Sequence, residues 1–248
     1  MGLKIAQDVL EVLDRAEVNG DRLVLTGQLD RKLYTDVNKV LEAIGGKWNR
    51  SAKAHVFDMP VSDVLDPIME TGQYSRTKQD FGQFDSPPDV VSRVIHLAEI
   101  YPGMTVLEPS AGIGNLAGAA KRLGALVTTY EIDPKREAEL RKVVNAVNVS
   151  DFLSATPTAN WKFDRIVMNP PFAGQADIRH VLHAANFLKP DGILVSVMSA
   201  GVMFRENRKT VEFRQFVADH GGTIEKLPEG SFVASGTPIN TCIVKLAA

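Results

Sequence analysis

A doubly wound α/β sheet, preceded by a small α+β domain, is the fold this sequence predicts, and three observations carry it. From about residue 88 onward, short apolar runs alternate with helical periodicities, as in parallel βαβ units. Several of these runs stop at loops that carry glycine, proline and carboxylates. The last two strand-like segments, 223–227 and 240–246, have no helix between them, which predicts an antiparallel hairpin at one sheet edge.

Residues 3–16 place Ile5, Val9, Val12, Leu13 and Ala16 near helical spacing. Asn19-Gly20-Asp21 is a turn, and 22–26 reads as a short strand. Asp30 suits the cap of a helix over 31–44, closed by Gly45-Gly46, since glycine accepts the left-handed conformation that follows a helix. A turn then leads into a strand, with Lys47, Arg50, Lys53 and His55 around Trp48. Basic residues interleaved with an aromatic ring suit a phosphate backbone and a stacked base. A solvated hairpin with Trp48 in a small core is the other reading. A helix over 60–72 and the polar stretch 73–83 follow, dividing the chain into domains 1–75 and 80–248.

In the second part, Ser86 suits an N-cap and Pro87 a first helical position, opening a helix to about residue 100. Strand 104–107 leads to a glycine loop and an alanine-rich helix ending at 123. Strand 125–130, helix 134–145, a short segment 147–149, strand 163–168 and helix 175–188 follow. Lys189-Pro190-Asp191-Gly192 reads as a turn before strand 193–198. A loop holding Arg205, Arg208 and Lys209 precedes a last helix to 220.

The chain has 248 residues, 44% hydrophobic and 23% charged, with a formal net charge of −2. That suits a globular protein with no strong global field, so a nucleic-acid partner would need a local basic patch. Cys242 is the only cysteine, so no intrachain disulfide forms. No apolar run approaches the roughly 18–20 residues that span a bilayer, and the N-terminus lacks an apolar signal core. No clustered Cys/His ligands point to a metal. A soluble cytoplasmic protein is expected.

The chemistry collects at strand ends. Ile166-Val167-Met168 stops at Asn169-Pro170-Pro171-Phe172. Proline gives no N–H and resists helix, and it holds the preceding residue extended. Asn169 therefore presents its amide at the carboxyl edge of the sheet, where open α/β sheets bind ligands. Ala111-Gly112-Ile113-Gly114 lets backbone approach a ligand closely, but lacks the third glycine of a dinucleotide fingerprint. Glu108 beside it would repel phosphate and welcome a cationic or zwitterionic group. Glu131, ending the next strand, suits both hydroxyls of a ribose, and Asp151 can accept from an amino group. These residues describe a ligand with an amino-acid end, a ribose, an adenine amino group and a positive centre.

Leu107-Glu108-Pro109-Ser110-Ala111-Gly112-Ile113-Gly114-Asn115-Leu116, Tyr130-Glu131-Ile132-Asp133 and Asn169-Pro170-Pro171-Phe172 resemble the S-adenosylmethionine-dependent N6-adenine DNA methyltransferases. Their Phe-x-x-(Thr/Ser)-Pro motif is matched by Phe84-Asp85-Ser86-Pro87, or by Phe81 with a different gap. The order of motifs is that of the γ-type group, and 227–241 resembles their late hairpin. The resemblance covers about residues 81–246 and implies a Rossmann-like methyltransferase sheet with S-adenosylmethionine as cofactor.

It implies that Phe84, Ser86 and Pro87 border the methionine end of the cofactor. Glu108, Ala111, Gly112 and Gly114 line the cofactor loop, Glu131 binds the ribose and Ile132 packs on the adenine. Asp151 and Phe152 frame the adenine edge. Asn169, Pro170, Pro171 and Phe172 form the catalytic motif: Asn169 and the Pro170 carbonyl accept from the target amino group, and Phe172 stacks on a base turned out of its strand. Gly45-Gly46-Lys47-Trp48-Asn49-Arg50 followed by His55-Val56-Phe57 resembles, over about thirty residues, HARP-type DNA-binding modules. Lys47, Trp48, Arg50, Lys53, Arg205, Arg208 and Lys209 are thus the expected DNA contacts. The cytoplasm of a bacterial, archaeal or phage-infected host is the expected setting, and the compact size suits a phage or mobile element. An rRNA or protein-glutamine N-methyltransferase, and a non-catalytic DNA-binding or antirestriction protein that kept the fold, are the alternatives.

Overall fold

The computed structural model describes residues 3–57, 60–74, 84–144, 146–235 and 240–247. Phe81, most of the polar stretch around the expected boundary, and 236–239 of the late hairpin lie outside the described residues. The chain forms two compact units, Met1–Phe81 with Phe204–Val211, and Gly82–Met203 with Glu212–Ala248. The first unit is therefore not one continuous stretch, as the sequence division had it.

In the first unit, strand β1 (Leu3–Lys4) precedes helix α1 (Gln7–Asp14), β2 (Glu17–Asn19), β3 (Arg22–Val24) and α2 (Arg31–Ala43). Strands β4 (Lys47–Asn49) and β5 (Ala54–Val56), helix α3 (Val61–Thr71) and β6 (Gln73–Tyr74) complete it. Four strands pair antiparallel in the order β2-β3-β5-β4, and β1 pairs with β6. Strand β2 was not expected. All its residues are exposed, so it shows no apolar alternation. It forms because Gly20, at φ +62, turns the chain back and sets Val18 opposite Leu23. Asp30 caps α2 as expected, accepting from the backbone N–H groups of Lys32 at 2.8 Å and Leu33 at 2.9 Å.

The second unit begins with α4 (Pro88–Ala98), β7 (Thr105–Glu108), α5 (Asn115–Arg122) and β8 (Leu126–Glu131). A 3-10 turn (Pro134–Arg136) leads into α6 (Glu137–Val143), followed by β9 (Ala146–Val149) and β10 (Phe163–Met168). Then come α7 (Ala176–Ala185), β11 (Leu188–Ser199), α8 (Arg208–Asp219), which straddles the division, β12 (Thr223–Lys226) and β13 (Thr241–Ala247). Among the described residues, seven strands form one sheet in the order β12-β13-β11-β10-β7-β8-β9. Strands β7 to β11 are parallel, and the β12–β13 hairpin is antiparallel at one edge. This is the doubly wound, Rossmann-like sheet expected.

Alternation along each strand sorts side chains to two faces. Tyr130, Ile166 and Met168 share a core with Ile178 and Val181 of α7 and Phe213 and Val217 of α8. Val127 and Val147 pack on the other face with Ala117 of α5 and Leu140 of α6. Strand β11 starts five residues earlier than expected. Asp191 adopts φ +63, and the register along β10 jumps from Phe163↔Leu188 to Arg165↔Ile193. Lys189-Pro190-Asp191-Gly192 is thus a bulge within a strand instead of a turn before one.

At the amino end of the sheet, Asp164 Oδ2 accepts from Thr105 Oγ1 at 2.6 Å, Thr105 N at 2.8 Å and Lys189 Nζ at 2.8 Å. Burial works against ionisation, but these donors outweigh it and pull the Asp164 carboxyl down to about 2. A carboxyl depressed in the folded state contributes stability above its unfolded value, near 3.8, and loses it as the pH falls through about 2. Asp164→Asn is expected to lower stability at neutral pH and to flatten its decline between about pH 4 and 2, read by urea melts across that range.

Strand order reverses between β7 and β10, since the chain continues to β8 and β9 on one side and to β11 on the other. The carboxyl ends of those two strands, Glu108 and Met168, flank the crevice where such sheets take ligands.

Candidate active site

The crevice is an open cleft lined by Phe84, Asp85, Ser86, Glu108, Ser110, Ala111, Gly112, Asn115, Leu116, Arg136 and Asn169. Helix α5 begins at its floor. Its N-cap, Gly114, has no side chain to accept from the first turn, and Glu108 supplies the missing acceptor: Oε2 takes the Ala117 N–H at 2.7 Å. Burial raises the Glu108 carboxyl well above its ordinary value; the Ala117 bond opposes this, and the charges of Glu131 and Asp85 add to it. A carboxyl raised in the folded state costs stability as it ionises. The cost is absent below the unfolded value of 4.5 and grows as the pH rises toward the folded one. Glu108→Gln keeps an acceptor for Ala117 and removes the desolvated charge. It is expected to raise the melting temperature at neutral pH while weakening a cationic ligand by about tenfold, checked by thermal melts and calorimetry.

Glu131 is 2% exposed, and both its oxygens are engaged. Oε2 accepts from Gly112 N at 2.7 Å and Oε1 from Asp133 N at 2.8 Å. It fixes the glycine loop, and each oxygen keeps a lone pair for a hydroxyl. Gly112 sits at φ +57, and a Cβ there would lie 2.7 Å from Asp85 Oδ1 and 2.9 Å from Arg136 Nη1. Gly114 differs from its expected place. It does not line the cleft; a Cβ on it would meet Leu140 Cδ1 at 2.8 Å, so its need for glycine comes from the packing of α6 and from φ +87.

The Phe84-Asp85-Ser86-Pro87 segment forms one wall. Helix α4 starts one residue later than expected, with Pro87 at the N-cap and Pro88 first in the helix. Ser86 is thereby released from capping. Its Oγ accepts from Asn169 Nδ2 at 3.2 Å. The three carbonyls of 84–86 are each held by a side chain from a different element: Phe84 O by Asn169 Nδ2 at 2.8 Å, Asp85 O by Ser235 Oγ at 2.8 Å, and Ser86 O by Asn115 Nδ2 at 2.9 Å. A carbonyl can only accept, so the amide nitrogen of Asn169 must face Phe84, leaving Oδ1 as a free acceptor.

Two other residues of the expected site, Phe152 and Phe172, have buried rings. Phe152 is 2% exposed and belongs to the main core, against Tyr130 at 5.3 Å, Phe187 at 5.2 Å and His183 at 4.9 Å between ring centroids. Its ring is unavailable to an adenine edge. Exposed Asp151 caps the turn Phe152–Ser154 by accepting from Leu153 N at 2.9 Å. Phe172 is 8% exposed and offers a base little surface in this conformation, whereas Pro171 is half-buried. Pro170 and Ala111 are buried, and Ile132 is 58% exposed at the end of β8. Asp85, Arg136, Asn115 and Ser235 were not named as site residues from the sequence, although Asp85, Asn115 and Ser235 lie within the motifs quoted there and Arg136 does not.

In the first unit, Lys47, Arg50 and Lys53 are exposed and Trp48 is 51% exposed. The Trp48 ring stands edge-on to buried His55, centroids 5.2 Å apart, so it rims the small core without entering it. Asn38 Nδ2 donates to Glu42 Oε1 at 2.7 Å, so Asn38 Oδ1 accepts from His55 Nε2 at 2.8 Å, which fixes that ring. Arg205 leaves the expected DNA contacts. It is 4% exposed, with Nη2 directed at Asp66 O, 3.5 Å away, so its charge cannot reach a phosphate. Arg208 and Lys209 open helix α8 and do not lie in a loop. Among the described residues, no cluster of three or more His, Cys, Asp or Glu side chains could hold a metal, and no helix is long and apolar enough to cross a membrane.

The methyltransferase small domain model matches residues 89–221. The defense against restriction protein B of Escherichia phage P1 is 27% identical over 181 residues, 62% of this chain and 8% of that protein. An rRNA adenine N-6-methyltransferase of Saccharopolyspora erythraea is 34% identical over 101 residues, 37% of this chain and 26% of that protein. This chain thus spans a small part of these relatives' own lengths. The type I restriction-modification system methyltransferase subunit from Streptococcus thermophilus shares the fold, with a TM-score of 0.60 and 21% identity over 87% of this chain and 53% of that one. Methyltransferases of this fold and family take S-adenosylmethionine. The residues here fit it: three carboxylates, Asp85, Glu108 and Glu131, surround a glycine loop and favour a ligand with a positive centre. The family match takes in more than half of the chain, from helix α4 to the residues just after α8, and the chain belongs to the methyltransferase small domain family.

Proposed function

We propose that this chain methylates the N6 amino group of adenine in DNA. One observation carries the reading: Asn169 lines the cleft and its amide is held by its nitrogen, which leaves Oδ1 as an acceptor. An exocyclic adenine nitrogen is a poor nucleophile because its lone pair is delocalised into the ring. Asn169 Oδ1 and the Pro170 carbonyl, accepting from the two amino hydrogens, draw that nitrogen toward tetrahedral geometry and localise the pair. S-adenosylmethionine, when bound, supplies an electrophilic methyl on a sulfonium. The chain's own work is orientation and exclusion of water: the 84–86 wall, Glu108 and Glu131 hold the donor side, and Asn169 holds the acceptor side. The target base must leave its stack to reach a cleft of this kind. No covalent intermediate is required, and Cys242 is buried, its thiol pushed up by burial and the Asp177 charge.

Exposed Trp48 with Lys47, Arg50 and Lys53 supports a nucleic-acid contact in the first unit. The double variant Lys47→Ala/Arg50→Ala is expected to bind duplex DNA about tenfold more weakly and to flatten log K against log salt by about two units of slope, measured by fluorescence anisotropy. Unchanged binding and slope would remove this module from the DNA surface.

The relative named as an rRNA adenine N-6-methyltransferase favours a second reading, transfer to adenine in rRNA. The deciding experiment is transfer of labelled methyl from S-adenosylmethionine to duplex DNA, single-stranded DNA, rRNA and protein, with the product identified by mass spectrometry. N6-methyladenine in DNA is the expected product. Label in rRNA alone would replace the first reading by the second. Cofactor binding with no transfer to any polymer would leave a binding protein that kept the fold.

A further inference from the structure

We infer that the Asp85–Arg136 ion pair is the receptor for the amino-acid end of the methyl donor, with Arg136 taking the α-carboxylate and Asp85 the α-ammonium. The inference deepens the proposed function and rests on the cofactor assignment within it. Among the described residues that line the cleft, Arg136 is the one cationic side chain. The surrounding carboxylates suit a positive centre, but a zwitterion also needs a cation for its carboxylate. Arg136 Nη1 lies 3.0 Å from Asp85 Oδ1. Both atoms stand within 3 Å of the point where a Gly112 side chain would begin, so the pair closes directly over the glycine loop.

Both groups keep capacity for a ligand. Asp85 engages one carboxylate oxygen and Arg136 one terminal nitrogen, which leaves Oδ2, Nη2 and Nε. A planar guanidinium fork matches a carboxylate in two parallel bonds. Side-chain exposures of 25% and 35% leave the pair reachable from solvent. Partly exposed ion pairs add little to stability, so folding alone does not account for this one.

The mounts are stiff. Asp85 sits on the segment whose three carbonyls are all bonded. Arg136 ends the 3-10 turn that Asp133 caps through the Lys135 N–H at 3.0 Å, and its own N–H donates to Asp133 O at 3.1 Å. A zwitterion entering here exchanges one ion pair for two and leaves the local charge unchanged.

Calorimetry with S-adenosylmethionine, its decarboxylated analogue and its 2-oxo (deaminated) analogue tests the assignment. The wild-type protein is expected to bind each analogue about tenfold to hundredfold more weakly than the full cofactor. Arg136→Met should lower the affinity for the full cofactor to that for the decarboxylated analogue and leave the latter unchanged. Asp85→Asn should do the same for the deaminated analogue. Should Arg136→Met melt early, Arg136→Lys is read instead and should retain part of the preference for the carboxylate. Equal weakening of all three ligands by either variant, or no weakening, would overturn the inference. Wild-type protein that binds none of them would overturn the cofactor assignment itself, and that outcome is seen without any variant.

Discussion

Asn169→Ala is expected to slow methyl transfer by about 10²–10³-fold while affinity for S-adenosylmethionine changes only a few-fold. The asymmetry follows from the two ends of one side chain. The nitrogen holds the Phe84 carbonyl at 2.8 Å and Ser86 Oγ at 3.2 Å; the oxygen is assigned to the substrate. Loss of the nitrogen loosens one of three ties on the 84–86 wall, since Asn115 and Ser235 still hold its other two carbonyls. Loss of the oxygen removes an acceptor that matters only as the target nitrogen pyramidalises. Asn169→Asp is expected to be as slow at neutral pH, because a carboxylate would face the Phe84 carbonyl with no proton to share. Single-turnover transfer beside calorimetry separates the two effects. Undiminished transfer by the alanine variant would end the assigned role.

Gly112→Ala is expected to weaken the cofactor by more than about hundredfold and to cost about 1–2 kcal/mol of stability from its left-handed backbone. The added methyl would lie 2.7 Å from Asp85 Oδ1 and 2.9 Å from Arg136 Nη1, so the ion pair must part or the loop must move. Moving the loop strains the 2.7 Å bond from Gly112 N to Glu131. Gly114→Ala provides the contrast. Its methyl meets Leu140 across the α5–α6 packing, so it should lose about 1–3 kcal/mol of stability with a much smaller change in affinity. Urea melts and calorimetry on both variants read this out. Wild-type affinity in Gly112→Ala would refute the close approach claimed for that loop.

What was legible in the sequence was periodic or punctuated. Strand β10 declared itself by an apolar run ended by two prolines, and the sheet by the alternation of such runs with helices. Glu108, Glu131 and Asn169 were found because each ends a strand, and strand ends gather at one edge of a parallel sheet. What was not legible depended on partners far along the chain. Asp85 and Arg136 are 51 positions apart, and neither spacing nor composition joins them. Phe152 looked available beside Asp151, yet Tyr130, His183 and Phe187 from other elements draw it into the core. Arg205 read as a loop cation, and burial withdrew it. The four-residue bulge in β11 mimicked a turn, because proline, aspartate and glycine serve both.

The three bonds on the 84–86 wall carry a consequence for how the protein matures. Their donors lie 85, 150 and 29 positions away along the chain. A local contact can form in a nascent chain, but this wall cannot be finished until β10, α5 and the C-terminal hairpin have all arrived. Competence to bind the cofactor is then a coincidence signal for completed folding. During refolding, the helical signal should return first and cofactor binding last. A cofactor that binds only the finished state stabilises it by an amount that grows with the logarithm of its concentration, so the supply of methyl donor also sets what fraction of the protein has the site assembled.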